Sequence, residues 1–133
     1  MTPVQIQQRF EASPFSRFLQ LKVVHAEGAT LTVRMPLRDE IRRSEGVQQF
    51  HGGALASLAD IAADFAVAML VGGPVPTVRI DLDYLRPAVG DRVDAVATVR
   101  RQGKTLCTVD VELVREDGQL AALGRGTYLS TPG

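Results

Sequence analysis

The 133-residue sequence predicts an α+β fold in which one antiparallel sheet wraps around one long buried helix. Three features predict it. Residues 54–71 form a nearly unbroken apolar run, opened by Gly52 and Gly53 and closed by Gly72-Gly73-Pro74. Two strand patterns precede that run and four follow it. Turn signals such as Glu27-Gly28 and Glu116-Asp117-Gly118 join neighbouring strands as hairpins, which build antiparallel sheets.

Taken in order, residues 3–19 read as a short N-terminal helical cap of one or two pieces, broken at Ser13-Pro14. Its expected core contacts are Val4, Ile6, Phe10, Phe15 and Phe18. Residues 21–26 and 30–35 form the first hairpin, and a polar loop over 38–49 leads to the helix. Beyond it, residues 78–85 alternate Val78, Ile80, Leu82 and Tyr84 against Arg79, Asp81 and Asp83. Residues 92–100 alternate less cleanly, and 106–115 with 119–129 make the last hairpin of a six-stranded antiparallel sheet.

Length and composition narrow the function. One domain, residues 1–133, is long enough to bury a core without staples. Fifteen Lys and Arg against fifteen Asp and Glu leave no broad basic surface, so nucleic-acid binding is not expected. A lone Cys107 excludes an intrachain disulfide, and one Cys with two His is too few for a structural zinc site, so no metal and a cytoplasmic location are expected. The first ten residues lack the basic start and apolar core of a signal peptide. Residues 54–71 approach membrane-spanning length, but two central acids and many alanines point to a packed helix away from a membrane.

Between Ala54 and Val71 only Ser57, Asp60 and Asp64 are polar, and at about 100° per residue they share one stripe. An ionised carboxylate is costly to bury alone, so either a partner chain and water line that stripe or the acid does chemistry there. A helix of some twenty residues is roughly 30 Å long, more than one six-stranded sheet can cover. The uncovered face is therefore expected to meet a second copy across a two-fold axis.

Three runs together resemble a known family: Phe50-His51-Gly52-Gly53 with Leu58-Ala59-Asp60, Tyr84-Leu85-Arg86-Pro87-Ala88 with Gly90, and Gly126-Thr127-Tyr128. Along nearly the whole chain the sequence resembles the hotdog-fold acyl-CoA thioesterases of the phenylacetate-degradation (PaaI-like) type. The resemblance implies a central helix wrapped by six strands, homodimers or homotetramers (dimers of dimers), and active sites shared between subunits. It implies that Asp60 is the catalytic carboxylate, as general base or as nucleophile. Gly52 would polarise the thioester carbonyl through its backbone N–H, and Thr77 would help place the attacking water. About six residues before the histidine, where many relatives carry Asn or Gln, this chain has Glu45, with Gln48 and Gln49 nearby. Either a glutamine takes that polar role or Glu45 faces the substrate. Asp64 is an acid beyond the family pattern.

The residues support this chemistry independently. Unpaired N–H groups at a helix start attract negative charge, and glycines there let a ligand approach closely. Gly52 and Gly53 are the candidates, with mere turn formation as the alternative. Asp60 lies about 12 Å further along the axis, so its target is expected to be a thioester held by the other subunit's glycines. Its plainer reading is a carboxylate paired across a dimer or capping a loop. Asp64 would either raise the proton affinity of Asp60 or sit solvated at the rim. His51 is a candidate base or a residue that holds the glycine turn. Thr77 would otherwise be an ordinary strand former, and Cys107 reads as inert core. Arg86, Arg100, Arg101 and Lys104 are expected to cluster near strand ends, either on the phosphates of coenzyme A or as solvated charges.

The expected reaction is hydrolysis of an acyl-CoA thioester without cofactor or metal. The alternatives are a hotdog module that binds or senses acyl-CoA without reaction, and a hotdog enoyl-CoA hydratase that pairs a catalytic histidine with an acid.

Overall fold

Local capping explains why the N-terminal cap is two helices. Helix α1 (Pro3–Ala12) begins at Thr2, whose side chain and that of Gln5 cap each other's backbone N–H. Ser13 ends α1 and caps α2 (Pro14–Phe18), with a proline in the first turn of each. The computed structural model describes residues 1–133. After the cap come β1 (Lys22–Glu27), β2 (Thr30–Pro36), a 3₁₀ turn (Asp39–Ile41), α3 (Gly52–Val71), β3 (Thr77–Tyr84), β4 (Arg92–Gln102), β5 (Leu106–Arg115) and β6 (Leu120–Leu129).

The strands form one sheet in the order β1-β2-β4-β5-β6-β3, with every neighbouring pair antiparallel. Its concave face carries Leu31, Val33, Val93, Ala95, Val109 and Val111, all buried against α3. Helix α3 answers with Leu58, Ala59, Ala62, Ala63, Ala66 and Val67, also buried. Small alanines on both surfaces let helix and sheet approach closely, and alternating strand residues supply the larger fillers. By length and composition α3 would pass as a membrane span, yet 56% of its apolar window is buried inside the protein. Gly72 closes it at φ 94°, a left-handed position that favours glycine.

Two expectations about the core fail for physical reasons. Ile6 and Phe10, one turn apart, are the buried face of α1, whereas Val4, Phe15 and Phe18 are 66%, 52% and 41% exposed. Phe15 and Phe18 instead stack on each other, with the Arg38 guanidinium over the Phe18 ring at 4.6 Å. On β3, Ile80 and Leu82 are half-buried while Val78 and Tyr84 are exposed. This strand is a sheet edge, so its ends project beyond the cover that α3 provides.

The β3 edge hangs on β6, where Gly124 stands opposite Leu82. A β-carbon on Gly124 would overlap the Asp81 carbonyl oxygen. Gly124→Ala is therefore expected to push β3 off its neighbour, costing about 2–3 kcal/mol and roughly 10 °C in Tm, readable by thermal denaturation.

Candidate active site

The start of α3 leaves one amide free. His51 is the N-cap, and its Nδ1 accepts the Gly53 N–H at 2.9 Å. Its carbonyl accepts from the Ala54 and Leu55 amides. Gly52 N–H alone in this turn has no partner within the protein, and the positive end of the helix dipole lies behind it. Because its Nδ1 is taken by the Gly53 N–H, His51 is a cap that shapes the glycine turn. The Tyr84 hydroxyl donates to the Gly52 carbonyl at 2.7 Å, tying the end of β3 to this turn. A cavity of about 330 Å³ opens here, lined by Gln49, Phe50, Gly52, Leu55, Tyr84 and Arg86 among others.

Two turns further along α3, the half-buried Asp60 is held by hydroxyls. Its Oδ1 accepts from Thr77 at 2.9 Å and from Tyr128 at 3.0 Å. The Tyr128 phenol is also 3.3 Å from the Asp60 backbone oxygen. Ser57, on the same stripe, donates back to the Gly53 carbonyl at 2.9 Å. Asp64 faces the other way along the stripe, toward the cap. It accepts the Val75 N–H at 2.7 Å and lines a cavity with Arg9, Phe15, Ile61, Phe65 and Pro74. Burial pushes its carboxyl up to about 6, the Val75 bond opposes this, and the charge of Asp60 adds to it.

The remaining candidates separate. Gln49 reaches the Gly52 cavity, whereas Gln48 is bound to Arg42 and Asp91 within the loop. Glu45 lies in a separate acidic hollow with Asp39 and Glu40. The basic residues do not form one cluster: Arg86 follows the C-terminal end of β3, while Arg101 and Lys104 flank the β4–β5 turn at the opposite end of the sheet. Antiparallel pairing separates them, because β3 and β6 run their full length between the two ends. Arg100 pairs with Asp110 at 3.5 Å. Cys107 is fully buried beside Ser130. The bonds of Tyr128 and Tyr84 have no counterpart in the sequence reading, although both tyrosines stand in the matching runs; the contacts depend on strand register.

The shifted Asp64 carboxyl has a measurable consequence. An unfolded carboxyl at 3.8 releases its proton earlier than the folded one at about 6, so folding loses stability as pH rises through that window. Asp64→Asn keeps an oxygen for Val75 and removes the buried charge. The variant is expected to lack the wild-type loss of stability between about pH 4 and 6, and above pH 6 to be more stable than wild type by about 1–2 kcal/mol, discounted for partial solvent exposure and read by denaturant unfolding across that pH range.

Comparison with known proteins shows the family. The thioesterase superfamily model matches residues 49–122, from before the helix cap into β6. Acyl-coenzyme A thioesterase PaaI of Escherichia coli is 33% identical over 119 residues, covering 88% of this chain and 82% of that protein. Human acyl-coenzyme A thioesterase 13 is 31% identical over 121 residues, covering 88% and 85%. Among solved structures, one protein from the thioesterase superfamily superposes with a TM-score of 0.88 at 36% identity, over 97% of this chain and 98% of its own. The structure of E. coli PaaI, from the phenylacetic acid degradation operon, gives a TM-score of 0.83 at 28% identity over 100% and 98%. With the family model matching more than half its length and a relative 33% identical over most of both chains, this chain belongs to the thioesterase superfamily, as a hotdog-fold enzyme of the PaaI-like type.

Proposed function

We propose that the protein hydrolyses an acyl-CoA thioester to the free acid and CoA, in an active site shared between two subunits. One observation carries this reading: the free Gly52 amide and the Asp60 carboxylate sit on the same rigid helix, eight residues and about 12 Å apart. A reacting carbonyl must lie about 3 Å from both an oxyanion donor and the attacking water, so one protomer cannot supply both groups. Strand β3 supports the two-subunit arrangement. Its Thr77 end binds Asp60, its Tyr84 end binds Gly52, and it is a sheet edge. Antiparallel pairing of two such edges across a two-fold axis sets the Tyr84 end of one protomer beside the Thr77 end of the other.

In the shared site the thioester oxygen faces the Gly52 N–H. Water attacks the carbonyl carbon and passes its proton to the partner subunit's Asp60. Negative charge gathers on the carbonyl oxygen, where the amide and the helix dipole stabilise it. The tetrahedral intermediate collapses, the C–S bond breaks, and the departing CoA thiolate takes the proton back from Asp60. No metal or cofactor enters these steps. The same symmetry unites the separated cations: Arg86 of one subunit comes toward the end that carries Arg101 and Lys104 of the other, where phosphates of CoA are the natural ligand. His51, capping the glycine turn, supports hydrolysis over hydration. We place this homo-oligomer, a dimer or a dimer of dimers, in the cytosol.

Thiol release from a panel of acyl-CoA substrates tests the reaction. Asp60→Asn is expected to lose at least about a hundredfold in kcat, and unchanged turnover would remove the acid from the mechanism. Gly52→Pro deletes the free amide at a helix position that proline favours, after an extended His51 that tolerates it, with a comparable expected loss. Mixing the two inactive variants after dissociation then tests the sharing. A site built across the seam restores about a quarter of wild-type activity, since half the dimers are mixed and one of their two sites is intact. A site confined to one protomer restores none.

A further inference from the structure

We propose that Tyr128 is a positioning residue for the reaction: with Thr77 it saturates one oxygen of Asp60, Oδ1, and so commits the other, Oδ2, to the water. The inference rests on Asp60 acting as the base in the reading above.

The geometry comes from one cross-strand pair. Thr77 on β3 and Tyr128 on β6 stand directly opposite each other, so their side chains project from the same face of the sheet. Both hydroxyls converge on Oδ1, at 2.9 and 3.0 Å. The tyrosine is fully buried, and its ring lies back along β6 over Gly126. A β-carbon on Gly126 would run into that ring, so the glycine keeps the place open and the ring direction follows from the backbone.

Burial and the adjacent Asp60 charge push the phenol well above its ordinary range, so it remains a proton donor throughout the working pH. Two donors on a carboxylate favour its charged form and hold its rotation. The titratable groups facing Asp60 are Asp64 on α3 and Tyr128 on β6; on β3, Arg79 is paired with Asp81.

Tyr128→Phe removes one oxygen and keeps the ring. The expected result is a fall of about tenfold in kcat with KM unchanged, and an acid limb of the kcat/KM profile moved up by about half to one pH unit. Each comparison is repeated in an Asp64→Asn background, which removes the neighbouring carboxyl from the profile. Wild-type kcat and profile, or a lowered Tm with the limb in place, would overturn the proposal. Asp60→Asn run in parallel separates the two ideas: if that variant keeps activity the base assignment fails, and if it is inactive while Tyr128→Phe is unaffected only the positioning role fails. Should Tyr128→Phe not fold, wild-type protein carrying fluorotyrosine offers a more acidic, stronger donor. Its acid limb is expected to move down, and a limb that stays put would overturn the role; Tyr84 is replaced as well, so the limb alone is read.

Discussion

The structure depends on a rigid helix that is longer than the sheet around it can cover. Helix α3 keeps its alanine and leucine face against the concave sheet, and its Ser57, Asp60 and Asp64 stripe stays only half-buried. An apolar rod carrying two acids would be unstable if that stripe were sealed without partners. The fold meets this by placing hydroxyls, a loop amide and an unsatisfied sheet edge along the uncovered side. The proposed reaction draws on the same arrangement.

The two acids show how local partners divide roles between similar side chains. Asp64 accepts one backbone amide and is otherwise packed toward the cap without an ion-pair partner, so burial dominates and pushes its carboxyl up to about 6. Asp60, one turn earlier, receives two hydroxyl bonds on a single oxygen. At the helix start, His51 makes a comparable division between neighbouring amides: it occupies Gly53 N–H and leaves Gly52 N–H without a partner in the chain. A β-carbon on Gly53 would stand 3.1 Å from the His51 Nδ1, so the second glycine serves the cap.

Much of this was legible in the sequence, because it depends on near neighbours. The break at Ser13-Pro14, the helix from Gly52 to Val71 and the six strands follow from caps, glycine stops and apolar alternation. The acid stripe on α3 is likewise a matter of angular spacing. What failed depended on distant partners. Val4, Phe15 and Phe18 look like core until the buried face of α1 is chosen by what it packs against. Alternation on β3 does not say that the strand lies at an edge, and strand ends that look close along the chain stand at opposite ends of the sheet. The Thr77–Tyr128 pair joins residues far apart in sequence, and period-two patterning sets which face a side chain takes, never which strand lies beside it. Where the family pattern has Asn or Gln and this chain has Glu45, spacing alone left open whether a glutamine or Glu45 faces the site; the loop carries Gln49 to the cavity and leaves Glu45 in a separate hollow with Asp39 and Glu40.

In the proposed reaction, the rigid helix between the Gly52 amide and the Asp60 carboxylate has a further consequence. In a shared site, no side-chain motion within one subunit can bring Gly52 to its own Asp60, so the reacting distance is set by how two copies register along their β3 edges. Attack geometry is intolerant, and a displacement of about 1 Å can cost on the order of a hundredfold in rate. Residues that touch neither water nor thioester therefore bear on the chemistry. Gly124 holds β3 against β6, Tyr84 ties one end of β3 to the helix start, and Thr77 ties the other end to the acid. The edge strand is fastened to both candidate halves of the site within each protomer and, in the proposed dimer, presents the seam where they meet, so the stability of β3 and the precision of the proposed reaction rest on the same hydrogen bonds.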